Sequence, residues 1–194
     1  MTDLFRDIKT AESFRSPQVG LFIAQLDDQN RRLVEDLKDI TPAELEWQSA
    51  PGMNTIGMLL AHIAVVEVWW IHIGPLDAKS TEAAAAPLPG ILAIGIKDDG
   101  MPIDPTGRPP QHLAGRDLTF YEDLLRKSRH FTKETTVSLT DQDLDRTGSL
   151  KRRDGSTGTY TNRWILYHLL EHEAAHYGQI GLIRHQYKDA QKTG

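Results

Sequence analysis

An all-α helical bundle is the fold class that this sequence predicts. Three observations lead there. Four long stretches repeat their apolar residues at helical spacing, no stretch shows convincing apolar–polar alternation, and capping residues, Pro and Gly stand at the borders of the helical stretches. The chain has 194 residues, a length that suits one domain over 1–194 with enough core to need no covalent staples.

The first helix is expected over about 18–39, where Leu21, Phe22, Leu26, Leu33, Val34 and Leu37 recur among charged residues. Pro17 lies at its start, and Thr41-Pro42-Ala43-Glu44 follows its end as a cap for a further short turn of helix. A second helix over about 54–73 begins at Asn54, after the turn Ala50-Pro51-Gly52, and stops at Gly74-Pro75. Asp117 opens a third, over about 117–138. The fourth, over about 161–188, begins at Thr161-Asn162.

Two connections are unusual. The segment 74–116 between the second and third helices is too long for a bundle loop. It is rich in Gly and Pro, yet Ile91, Leu92, Ile94, Ile96 and Met101 are apolar enough to pack. We read it as a crossover that forms a lid or pocket wall; a disordered insertion is the alternative. Residues 144–160 carry Asp154-Gly155 and suggest a small hairpin, and the run Lys151-Arg152-Arg153 reads as a solvated face.

Composition excludes several chemistries. There is no cysteine, which rules out disulfides, thiolate zinc sites and cysteine nucleophiles. A net charge of -5 argues against a nucleic-acid binder, because phosphate contacts need a basic face. The N-terminal residues mix charged and apolar types with no signal-peptide core, and the longest apolar stretch, 56–73, is interrupted by His62, Glu67 and His72. The expectation is a cytoplasmic protein outside the membrane that acts on a small molecule.

The histidines carry the functional signal. His172 and His176 are four residues apart in the fourth helix, so they differ by about 40° and share one face. A wheel centred on His172 gathers Ile165, Leu169, His176, Gln179 and Ile183, with His168 one turn earlier. Leu170, Glu173, Tyr177, Gly181, Arg184 and Lys188 fall opposite and read as the outer face, as does His185. In the second helix His62 is centred among Thr55, Met58, Leu59, Val66, Trp69 and Ile73. Two core stripes in one bundle meet near its axis, and three neutral imidazoles there would suit one divalent cation with a fourth position open. A lone core histidine bonded to a carbonyl is the bland alternative for His62.

Gln179 is a candidate support for His176, and His168 a candidate base or substrate contact. Glu171 lies off the stripe, and His72, His112, His130 and His185 read as surface or loop residues. His172–His176 spells HEAAH, which also satisfies the H-E-x-x-H of zinc proteases with Glu173 as base. The absence of a sheet to align a peptide, and a third histidine on a preceding helix, argue against a protease.

NTIGMLLAHIAVVEVWW in the second helix and YHLLEHEAAHYGQIGLIR in the fourth resemble the DinB/YfiT-like superfamily of metal-binding bundles. The resemblance covers the four helices and their order. It implies a four-helix bundle with a long crossover between helices 2 and 3. Its metal would be held by one histidine of the second helix and the His-x3-His of the fourth, which fall on His62, His172 and His176. Zinc or nickel is the implied ion, with iron a further candidate, and members are commonly dimers. The best-defined enzymes of the superfamily, bacillithiol S-transferases and mycothiol-dependent maleylpyruvate isomerases, use a low-molecular-weight thiol as cosubstrate.

A thiol-dependent transferase is therefore the first functional expectation, with Trp69 and Tyr121 as pocket residues and Tyr121 or His168 as catalytic candidates. Metal-dependent hydrolysis is the second, since the same open position can hold a water with lowered pKa. The third is a non-catalytic dimeric stress-response or metal-binding protein. The outer face of the second helix, Gly57, Leu60, Ala64, Val68 and Ile71, is apolar, so either the crossover or a second subunit must cover it.

Overall fold

The computed structural model describes residues 7–10, 12–98, 107–151 and 155–193. Met101, Arg152, Arg153 and Asp154, singled out in the sequence, lie outside the described residues. Each bundle helix starts where a short polar side chain satisfies an amide that the first turn leaves unbonded. Ser16 accepts from the Val19 amide and opens α1 (Pro17–Leu37), with Pro17 in the first turn. Thr41 does the same for the short α2 (Pro42–Glu46). The cap of α3 (Ile56–Ile73) is Thr55, which accepts from Met58, and not its neighbour Asn54 as the sequence suggested. Both are capping types, and only the register of the preceding turn chooses between them.

The described part of the crossover packs on the bundle. It holds α4 (Thr81–Ala85), α5 (Leu88–Leu92) and single 3-10 turns at Ile96–Asp98 and Gln111–Leu113. Leu88, Leu92, Ile94 and Leu113 are buried in the main core, and Ile91 and Ile96 pack against it. Asp117 then caps α6 (Leu118–Thr136) by accepting from Phe120. A two-stranded antiparallel hairpin follows, β1 (Thr147–Lys151) and β2 (Thr157–Thr161), paired from Thr147 opposite Thr161 to Lys151 opposite Thr157. It lies against the end of α3 because Gly148 has no side chain: a Cβ there would sit 2.6 Å from the Ile73 carbonyl oxygen. Thr161 caps the last helix, α7 (Asn162–Thr193), which runs past the expected end at 188.

At the centre of the bundle is α3. It packs on α6 and α7, while α1 closes the far side against those same two helices. By length and composition α3 could cross a membrane, but 89% of it is buried inside the protein, which makes it a core helix. Its outer face is covered within the chain. Leu60, Ala64, Val68 and Ile71 are each no more than 1% exposed. Of the two covers that the sequence left open for this face, the crossover is one that the structure shows, together with α6.

Candidate metal centre

His62 projects from the middle of α3, and His172 and His176 from successive turns of α7. The three rings converge through one nitrogen each. Nε2 of His172 lies 3.1 Å from Nε2 of His62 and 3.0 Å from Nε2 of His176. Ring centroids are 5.0, 4.9 and 4.3 Å apart for the pairs 62–172, 62–176 and 172–176. His62 is buried at 6% exposure, while the other two are half-buried at the edge of the bundle. The cluster therefore has a protein side and a solvent side.

Protonation favours ligation. Burial, reinforced by the neighbouring imidazoles of His176, His62 and His168, pushes His172 down to about 3. His176 is also lowered, first by burial, with its bond to Gln179 acting the other way. That bond, His176 Nδ1 to Gln179 Oε1 at 2.7 Å, puts the ring proton on Nδ1, so the lone pair of Nε2 faces the cluster. Two nitrogens bound to one ion at 2.0–2.1 Å stand about 2.9–3.4 Å apart for angles between octahedral and tetrahedral. The spacings here match, and three imidazoles with no thiolate form a donor set for zinc, nickel or iron(II). The residues present fit a metal.

Around this centre the structure sorts the remaining candidates. The His168 ring stacks on Trp164 at 4.7 Å and 8°, meets Trp70 edge-on, and lies 5.7 Å from His172. Its Nδ1 donates to Glu171 Oε1 at 2.9 Å, which leaves Nε2 as the second nitrogen of the ring on its other side. Trp69 donates from Nε1 to the Thr81 carbonyl and anchors the crossover. Tyr121 is 1% exposed, donates its hydroxyl to the Leu113 carbonyl, and lies where a side chain at Gly57 would be. Its proton is committed there, and burial raises its pKa.

Two readings need correction. His72 is not a surface residue: it is 9% exposed, donates from Nδ1 to the Val68 carbonyl and stacks on Phe131. Glu173 is not on an outer face. The buried stripe of α7 runs through Leu166, Leu169, Glu173 and Ile180, and the two histidines flank it. A wheel read by polarity expels a carboxylate, but this one is neutralised. Arg129 of α6 donates from Nη2 to Glu173 Oε2 at 3.0 Å, and grips Glu67 of α3 through Nε at 2.8 Å and Nη2 at 3.2 Å. Burial still pushes the Glu173 carboxyl up to about 7, against the pull of Arg129. Bonded in this way, Glu173 is not placed as the base of a zinc protease.

Sequence reasoning gave the Arg129 cluster no role. Its one signal was Glu67, a charge in the middle of the apolar α3, which must find a partner when buried. The aromatic group of Trp70, Tyr160 and Trp164 beside His168 also went unassigned; it joins helices to the hairpin and has no spacing signature.

A family model described as mycothiol-S-transferase matches residues 21–189, a range that includes all three histidines. The uncharacterized protein YkkA of Bacillus subtilis (strain 168) is similar at 24% identity over 179 residues, covering 89% of this chain and 90% of that protein.

Proposed function

This chain belongs to the mycothiol-S-transferase family, and from that premise we propose that it transfers a low-molecular-weight thiol to an electrophilic small molecule in the cytoplasm. His62, His172 and His176 would hold one divalent cation, zinc or nickel before iron. The observation that carries this reading is the convergence of three Nε2 atoms with one side left to solvent. A cation held there would lower the pKa of a bound thiol, which would let thiol chemistry run on a chain without cysteine.

The chain's own residues supply the rest. His168, with its tautomer set by Glu171, offers a basic Nε2 beside the cluster for the proton released as the S–H bond breaks. Sulfur then forms a bond to the electrophilic carbon, and the leaving group departs with the electron pair of the bond it loses. The Trp164 and Trp70 rings fix His168 in place and exclude water from one side of it.

The test is turnover of an activated haloalkyl probe by metal-loaded protein, with mycothiol, bacillithiol, cysteine or no thiol. Consumption that depends strictly on thiol supports the proposal. Thiol-independent release from an activated ester would favour metal-assisted hydrolysis instead.

A further inference from the structure

We propose that Arg129 is a positioning residue for the metal centre: by gripping Glu67 of α3 and Glu173 of α7 together, it sets the helix register that brings His62 to His172. The inference rests on the metal reading above and adds to it the element that holds the third ligand in place.

His172 and His176 share a helix, so their spacing is set by helix geometry alone. The approach of His62 is different, because it depends on how α3 sits against α7. The contacts between these helices are largely apolar, and apolar packing is not directional. A slide of about 5.4 Å, one helical turn, would carry His62 out of reach of His172. Something directional must fix the register.

The buried ion cluster spans these two helices. Glu67 lies on α3 just over one turn after His62, and Glu173 adjoins His172 on α7. Arg129 meets Glu67 with two parallel bonds and Glu173 with a third, and Ser128 adds a bond from its hydroxyl to Glu67 Oε2 at 3.3 Å. Asp27 of α1 takes a further bond from Nη1. The side chains of Arg129, Glu67 and Glu173 are 5%, 4% and 2% exposed. A planar fork satisfied from three helices tolerates little sliding, because a shift leaves a charge buried without its partner. Setting register is the best-attested use of buried ionic groups, whose net stabilisation is often small.

The experiment titrates cobalt(II) into metal-free protein and follows its visible absorption. Arg129→Lys keeps the charge and loses the fork; Glu67→Gln keeps the shape and weakens the grip. Arg184→Lys is the control, since Arg184 of α7 pairs with the buried Glu44 of α2, at 3.0 Å, and does not join α3 to α7. We expect cobalt affinity to fall 10–100-fold, with a shifted visible band, in the first two variants, and to stay unchanged in the control. If Arg129→Lys does not fold, Glu67→Gln decides. Wild-type affinity and spectrum in the cluster variants, or an equal loss in Arg184→Lys, would overturn the positioning role. Failure of the wild-type protein to bind cobalt would instead overturn the metal reading, and this proposal with it.

Discussion

Replacing His172 with alanine should remove the thermal stabilisation that a divalent cation gives. His172 is the shared member of the cluster, with Nε2 at 3.1 Å from His62 and 3.0 Å from His176. A cation present at about 100 times its Kd stabilises the folded state by about 2.7 kcal/mol. For a chain of this size each kcal/mol moves Tm by about 2–4 °C, so the wild-type protein should rise by roughly 5–11 °C. Four-ligand structural zinc sites bind with about 10–16 kcal/mol, or roughly 2.5–4 kcal/mol per ligand. Loss of one ligand therefore weakens binding about 10²–10³-fold. At the same metal concentration the variant would gain no more than about 0.4 kcal/mol, a shift under about 2 °C. The assay is differential scanning fluorimetry of metal-free protein with and without zinc, nickel or cobalt. His185→Ala, at an exposed position of the same helix, should keep the full shift. A full shift in His172→Ala, or its loss in His185→Ala, would refute the reasoning.

The metal-free protein should lose stability in mild acid through His172. Its folded pKa, about 3, lies below the ordinary 6.5, so the unfolded chain takes up the proton first. This contribution is whole above pH 6.5 and is lost as pH falls toward 3, amounting to about 2 kcal/mol between 6.5 and 4.5 after a discount for partial exposure. Urea melts at the two pH values should show a smaller drop for His172→Gln; an equal drop would assign the acid sensitivity elsewhere. Gly57→Ala should cost about 2 kcal/mol, since its Cβ would meet the Tyr121 hydroxyl, the ring carbon Cζ at 2.8 Å and the Leu45 carbonyl at 3.3 Å. Tyr121→Phe in that background should recover part of the loss, and an unchanged Tm in Gly57→Ala would mean that the tyrosine moves freely. His168→Gln should leave the metal-induced shift intact and lower thiol transfer about 10²–10⁴-fold; wild-type turnover would remove His168 from the chemistry.

Much of the fold was legible because helix signals are local. Pro17, Asp117 and Thr161 mark helix starts by chemistry that acts within one turn, and the His-x3-His spacing survives any error in helix ends. The crossover was legible only as packable, since which face of the bundle Leu88 and Leu92 cover is a tertiary matter. Polarity misled at Glu173 and His72 for one reason. The fate of a polar side chain is decided by what covers it: Arg129, which bonds Glu173, is 44 residues away, and Phe131, whose ring covers His72, is 59 away. No window along one helix contains those pairs.

X-ray absorption at the K-edge of the metal in loaded protein tests the central claim most directly. A first shell with three imidazole nitrogens at about 2.0–2.1 Å, and a sulfur at about 2.3 Å that enters when thiol is added, is the predicted result for zinc. A shell without three imidazoles, or one unchanged by thiol, would contradict it.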